Sequence, residues 1–186
     1  MRRNARNGSY CALVLFVSAF FISPVQAKKP FVNVYGGDVH FYGQVVHAAC
    51  SVSADSRNQI VQMGQVRSNE FQNSGEWEDP VSFQIKLEDC SAMVSQSAGV
   101  IFTGQSDGKD PQVFRAGDGA GAAQGIGIGI FDAAGHLLVP DSQPLWFAPL
   151  QDGESVLSYI AKYRATSTVV KAGDAGAQVW FNVVYQ

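Results

Sequence analysis

The sequence contains little of what enzymes and nucleic-acid-binding proteins depend on. Its 186 residues include only three histidines and three cysteines, and 13 basic residues stand against 16 acidic ones. The resulting net charge of −3 argues against nucleic acids and anionic membranes as partners. His40, His47 and His136 are isolated from one another in strand-like or turn-like sequence, so we expect each to pack or to face solvent.

No motif predicts catalysis, metal binding or a cofactor. His, Cys, Asp and Glu form no cluster with metal-ligand spacing, and no Gly-x-Ser-x-Gly motif occurs. Residues 117–122 formally match the Gly-x-Gly-x-x-Ala of dinucleotide-binding folds. That motif must open a helix, whereas a strand-like sequence follows here, which favours a loop. The acidic run at residues 76–79 is interpreted as a solvated loop rather than a cation site. We therefore predict no enzyme, no cofactor and no small-molecule substrate.

Long apolar runs are also missing after residue 27. Residues 11–22 are apolar but too short for a confident membrane span, and arginines at positions 2, 3 and 6 precede them. Val25-Gln26-Ala27 supplies small residues at the usual −3 and −1 positions of a cleavage site. This pattern predicts a signal peptide over residues 1–27, cleaved after Ala27, rather than a membrane anchor. Cleavage leaves 159 of the 186 residues, the size of one domain, with a net charge of −6 once the three arginines are gone.

Two cysteines remain after this cleavage, Cys50 and Cys90. An even number in an exported chain predicts a disulfide. The loop that it closes, about 41 residues, corresponds to roughly 4 kcal/mol of stabilisation in the chain-entropy model.

A convincing helical pattern is absent after residue 27, and short alternating segments take its place. We predict strands within residues 43–54, 60–63, 81–87, 99–103, 125–132, 137–139, 156–164 and 177–186. A turn is predicted at residues 55–58 and loops at residues 68–80 and 105–121. About eight strands separated by Gly, Pro and Asp turns predict one all-β sandwich.

Glycines alternate with isoleucines in residues 125–132. Because β side chains repeat with period two, the isoleucines at 126, 128 and 130 share one face and the glycines the other. A strand that is bare on one side allows another layer to approach closely.

The strongest strand pattern is the final one, residues 177–186. Its alternation places on one face the side chains of Ala177, Val179, Phe181, Val183 and Tyr185. No later segment is available to pair with its second edge. The strand is therefore either an ordinary last strand of a sandwich or an edge kept open for a strand from another molecule.

The N-terminal stretch, residues 28–42, is a long alternating segment predicted to form a strand. One side carries Phe31, Asn33, Tyr35, Gly37, Val39 and Phe41. The adjacent Gly36 and Gly37 would weaken an internal core strand. They suit a backbone that passes close to something bulky.

Taken in order, these pieces resemble the pilin subunits of chaperone–usher fimbriae, the type 1 fimbrial family. The resemblance is carried by residues 36–41, 43–50, 63–65, 83–90, 127–132, 159–163 and 181–186. Within the family, residues 107–111 and 162–166 are most similar to the minor fimbrin-like subunits.

The resemblance implies an immunoglobulin-like sandwich that lacks its final strand and is completed by donor-strand complementation. A periplasmic chaperone lends a strand, which another subunit's N-terminal extension replaces at an outer-membrane usher. Residues 28–42 would be the donor extension, and residues 43–186 the pilin domain. The donor positions would be Phe31, Asn33, Tyr35, Gly37 and Val39. The acceptor groove would be lined by Val179, Phe181, Val183 and Tyr185.

The function implied is a structural subunit that polymerises into a surface fimbria and supports adhesion. One alternative is a minor subunit that terminates or anchors the rod. Phe31 and Tyr35 favour it, since major subunits usually have smaller residues there. An alternative of another class is a carbohydrate-binding adhesin module, but such adhesins carry an additional lectin domain for which 159 residues leave no room.

Overall fold

A computed structural model of the chain describes residues 33–43 and 48–186. The first range falls in one compact unit and the second in another. The predicted signal peptide and Phe31 lie outside these residues. No helix in the described part of the chain is long and apolar enough to cross a membrane.

Residues 48–186 are built almost entirely of strands. The elements are β1 (Ser51–Val52), α1 (Ala54–Arg57), a 3-10 helix (Ser68–Glu70), β2 (Trp77–Cys90), β3 (Ser97–Gly104), β4 (Phe114–Arg115), β5 (Ile126–Asp132), β6 (Leu137–Leu138), β7 (Ala148–Pro149), β8 (Gly153–Ala165) and β9 (Val179–Tyr185). The all-β prediction is confirmed, in the form of two antiparallel sheets.

The larger sheet has the strand order β1-β2-β8-β5-β4, with β6 added to β5, and the smaller sheet has the order β7-β3-β9. The long strands β2 and β8 pair over most of their length. Their alternation buries Ile85 and Leu87 from β2 with Leu157 and Tyr159 from β8. Strands in this order place β9 at an edge of the smaller sheet.

The glycine-spaced strand β5 behaves as its alternation predicts. Its three isoleucines are buried. On its other face, a methyl group at Gly129 would collide with the indole ring of Trp77. That ring is covered in turn by the guanidinium group of Arg164, 4.8 Å from its centroid. The missing side chain thus lets an aromatic layer pack directly on the strand.

The predicted disulfide is confirmed. Cys50 and Cys90 are bonded and both are buried. The bridge ties the chain just before β1 to the end of β2.

Three local predictions were wrong. Residues 55–58 are not simply a turn, because α1 completes one helical turn there. Residues 60–63 are not a strand, since their backbone has no strand partner among the described residues, and Ile60 is exposed. The loop predicted at residues 68–80 ends early, because Trp77 pairs with Arg164 and so extends β2.

The N-terminal unit also departs from the prediction. Residues 33–43 contain no strand, and all their side chains are exposed. The hydroxyl of Tyr35 donates a hydrogen bond to Asp38 over 3.2 Å. A strand is maintained by hydrogen bonds to a neighbouring strand, and this segment has none in the described residues.

Candidate functional site: a groove beside the last strand

A groove of about 1680 Å³, lined by both polar and apolar residues, lies within residues 48–186. It lies over the inner face of the larger sheet, between two walls. The first wall is formed by residues 170–181, which include the start of β9. The second wall is formed by residues 56–71, with the exception of Asn69.

The floor of the groove consists of side chains from four strands. They are Phe83 and Ile85 of β2, Phe102 of β3, Ile126, Ile128 and Ile130 of β5, and Ala161 and Tyr163 of β8. The period-two alternation of β2, β5 and β8 turns their side chains to one side of the larger sheet. Phe102 of the smaller sheet meets them there, with its ring centroid 6.2 Å from that of Phe83. The floor therefore carries no charge and is suited to apolar side chains.

The first wall ends in an edge strand. Each residue of β9 pairs with β3, from Val179 opposite Gly104 to Tyr185 opposite Ala98. Within the described residues, β9 has no strand on its other side. Its free N–H and C=O groups form a template onto which another extended chain can pair.

The second wall has little secondary structure. Within the described ranges, residues 58–66 make no backbone hydrogen bond to one another or to other elements. Met63 and Val66 pack on the cluster of buried side chains beneath them, and Phe71 is itself buried in that cluster. Side-chain packing rather than a hydrogen-bonded ladder holds this wall.

Charged side chains line the two walls of the groove: Arg57, Arg67 and Glu70 the second wall, and Lys171 and Asp174 the first. Arg67 and Glu70 form an ion pair of 2.7 Å, and this hydrogen-bonded guanidinium group lowers the pKa of the Glu70 carboxyl. On the floor, burial raises the pKa of the Tyr163 hydroxyl, and the charge of Asp79 adds to the effect. An exposed ion pair contributes little to stability, so the groove depends on its apolar floor.

The four predicted acceptor residues all pack on the cluster that contains the disulfide. Of the four, Val179 and Phe181 also line the groove, whereas Val183 and Tyr185 lie farther along β9. The hydroxyl of Tyr185 donates a hydrogen bond to the carbonyl oxygen of Cys50 over 3.1 Å. Burial raises the pKa of this hydroxyl, although the hydrogen bond to Cys50 opposes the shift.

The predicted donor residues belong to the N-terminal unit. Asn33, Tyr35, Gly37 and Val39 are all exposed, with Tyr35 at 84% of its full accessibility. Apolar side chains of this size are seldom left in water along a whole segment without a partner to cover them.

Sequence reasoning missed most of the floor. The isoleucines of β5 were recognised as one face, but not as the base of a groove. Phe71 of the second wall falls within the loop predicted at residues 68–80, and that prediction does not indicate that its side chain is buried. Period-two alternation identifies a buried face, but it does not distinguish a face covered by a second sheet from one left open. The described residues contain no group of three or more His, Cys, Asp or Glu side chains able to hold a metal ion.

Comparisons with known proteins agree with this architecture. The sequence profile of the family described as "Fimbrial protein" matches residues 39–186. A fimbrin-like protein of Salmonella typhi, FimI, is 40% identical over 172 residues, which cover 91% of this chain and 95% of that protein.

Two solved structures have similar folds. The P pilus rod subunit PapA superposes with a TM-score of 0.63 at 27% identity, covering 75% of this chain and all of PapA. A subunit in a chaperone–usher pilus structure that addresses rod uncoiling gives a TM-score of 0.61 at 28% identity, covering 85% of this chain and all of that one.

Proposed function

The chain belongs to the fimbrial protein family and is a structural subunit of a chaperone–usher pilus on the cell surface, and we propose that it joins its neighbours by exchanging strands. The groove beside β9 accepts an extended segment from one neighbour. Residues 28–42 are donated to the groove of another. The subunit thereby polymerises with other fimbrial subunits and supports adhesion.

One observation carries this proposal: an uncharged floor lies directly beside an unpaired strand edge. An inserted strand would form main-chain hydrogen bonds with β9 and direct alternate side chains onto Ile126, Ile128 and Ile130. Burial of four or five apolar side chains, at roughly 1.5–3 kcal/mol each, amounts to about 6–15 kcal/mol before ordering costs. That equals the stability of a typical domain, which is about 5–15 kcal/mol.

The proposed donor positions from Asn33 to Val39 match β9 in length. Residues 33–39 and β9 each contain seven residues, and seven extended residues span about 23 Å. Tyr35 and Val39 would be donor side chains, with Phe31 preceding them. Gly37 would face the position where the floor leaves no room for a side chain.

A groove of this kind needs a partner before assembly, because a bare strand edge promotes aggregation. We assign that part to a periplasmic pilus chaperone, and the exchange of strands to an outer-membrane usher. The name of the similar pilus assembly, chaperone–usher, supports both partners.

A second role at the end or base of the rod is favoured by Tyr35, which is large for a donor side chain. Electron microscopy of cells that lack this chain distinguishes the roles. Loss of the rods identifies a shaft subunit, whereas rods of altered length identify a terminating subunit.

The proposal is tested by removing the donor segment and adding strands back as peptides. A variant that begins at residue 41 should be unstable and prone to aggregation. A peptide with the sequence of residues 28–42 should raise its melting temperature, and a neighbouring subunit's donor peptide should raise it more, because Phe31 and Tyr35 are bulky. The matched control is the 28–42 peptide with Gly37→Leu, which should bind poorly. If the truncated chain already melts at high temperature and no donor peptide changes this, the groove is not a strand-binding site.

A further inference from the structure

Two loops that are distant in sequence interlock beside the groove. One consists of residues 117–124 and the other of residues 171–176. Their backbones exchange hydrogen bonds: Gln124 and Lys171 bond reciprocally over 3.0 and 3.1 Å, and the Ala123 amide donates to Asp174 over 2.9 Å. The Asp174 amide donates to Gly121 over 2.9 Å, and the Gly117 amide donates to Gly176 over 2.7 Å.

The contact is so close that it depends on glycine on both sides. A Cβ atom at Gly173 would lie 2.5 Å from the backbone nitrogen of Ala123 and from the carbonyl oxygen of Gly121. A Cβ atom at Gly117 would collide with the carbonyl oxygen of Asp174. Real Cβ atoms do not approach a backbone this closely, so a side chain at either position would separate the loops.

The loop at residues 171–176 is also part of the first wall of the groove. All its residues line the groove, and Ala175 packs on the cluster that contains Ile126 and Ile128. Of residues 117–124, only Ala123 lines the groove. The loop at 117–124 therefore supports this wall from behind, largely outside the space that a strand would occupy.

We propose that residues 117–124 act as a positioning clamp, which holds the first wall in its strand-accepting position before any strand enters. This inference rests on the proposed function, because it describes how the same groove is kept ready. A wall that is already ordered does not have to lose conformational entropy when a strand binds, and preorganisation of this kind accelerates and strengthens association. Gly117 and Gly173 are the positions on which the clamp depends.

The test compares two glycine variants of the full-length chain. Gly117→Ala breaks the contact with Asp174 from a position that does not line the groove. Gly119→Ala is the matched control, because its φ of +82° is close to the +77° of Gly117, but its Cβ would meet nothing within 4 Å. The two substitutions therefore carry similar backbone strain and differ in the loop contact.

The probe is a fluorescent peptide with the sequence of residues 28–42, and the readout is its association rate by fluorescence polarisation. Gly117→Ala should bind the peptide about tenfold more slowly than Gly119→Ala, since the wall must reorder during binding. Equal rates for the two variants would overturn the clamp and leave the proposed function standing. If the unsubstituted chain does not bind the peptide, the donor assignment of residues 28–42 fails instead.

Amide hydrogen exchange tests whether the two loops are joined, and it requires neither peptide binding nor a variant. In the unsubstituted protein without peptide, the amides of Ala123, Gln124 and Asp174 should exchange at least about a hundredfold more slowly than those of residues 33–43. Exchange of these three amides as fast as that of residues 33–43 would show that the loops are not joined before a strand arrives, and the proposal would be wrong.

Discussion

The two walls of the groove are held by different forces. The wall at residues 170–181 is supported by the β3 ladder and by backbone hydrogen bonds to residues 117–124. The wall at residues 56–71 has Phe71, Met63 and Val66 packed beneath it, while Ile60 is 79% exposed. Backbone hydrogen bonds fix a position closely, whereas apolar packing tolerates rearrangement. The groove thus pairs a rigid wall with an adaptable one.

The two walls would act differently on a strand that enters the groove. The rigid wall includes β9, whose free edge would set the register of a strand bound in the way that we propose. The adaptable wall can close over side chains of different sizes. A neighbour with either a large or a small donor residue could then be accepted at the same edge.

The largest expected effect comes from the disulfide, because the loop between Cys50 and Cys90 contains the whole adaptable wall. The double substitution Cys50→Ala and Cys90→Ala should lower the free energy of unfolding by about 4 kcal/mol. Urea denaturation measures this, and the unsubstituted protein under reducing conditions serves as the control. Unchanged midpoints in both samples would show that the adaptable wall does not need the bridge.

The adaptable wall should depend on one buried side chain. Phe71→Ala should cost about 3 kcal/mol, towards the low end for a buried phenylalanine because the neighbouring segment can partly collapse into the space. Ile60→Ala, in the same wall but exposed, should change stability by no more than about 0.5 kcal/mol. Similar losses for the two variants would mean that the wall is held along its length and does not depend on Phe71 alone.

A change beneath the floor should affect both walls alike. Gly129→Ala forces a methyl group against Trp77 on the outer face of β5 and should cost about 2 kcal/mol. Gly108→Ala is the control, since a Cβ there meets nothing within 4 Å. Hydrogen exchange in the Gly129 variant should accelerate in both walls. Acceleration in only one wall would contradict a shared floor.

The smallest expected effect is on the alkaline pH dependence of stability, through Tyr163 on the floor of the groove. The pKa of Tyr163 is raised above its ordinary value of 10.0 by burial, and by the charge of Asp79 to a lesser degree. The folded protein therefore holds this proton more tightly than the unfolded chain does. Its contribution to stability is complete below pH 10 and is lost as the pH rises above it. Tyr163→Phe should make the alkaline loss shallower, by no more than about 1 kcal/mol in urea titrations from pH 9 to 11. A pH profile left unchanged by Tyr163→Phe would contradict the assignment.

Local sequence was sufficient to predict the strands in which apolar and polar residues alternate. Alternation of apolar and polar residues predicted residues 81–87 and 156–164 correctly, because in each strand alternate side chains are buried or half-buried. The even number of cysteines in a predicted exported chain indicated the bridge, because pairing depends on compartment and count. The resemblance to fimbrial subunits rests on motifs in a fixed order along the sequence. The family profile and the similarity to FimI confirm it.

Contacts between distant residues were decided only by the tertiary structure. The apolar residues at 60–63 lack a ladder among the described residues, so alternation alone did not make them a strand. Trp77 joins β2 because it pairs with Arg164, and residues 117–124 become a clamp because they meet residues 171–176. A pattern of apolar and polar side chains indicates which face of a segment is buried if the segment forms a strand. The backbone partner that turns this pattern into a strand, or leaves an edge open, comes from elsewhere in the chain or from another molecule.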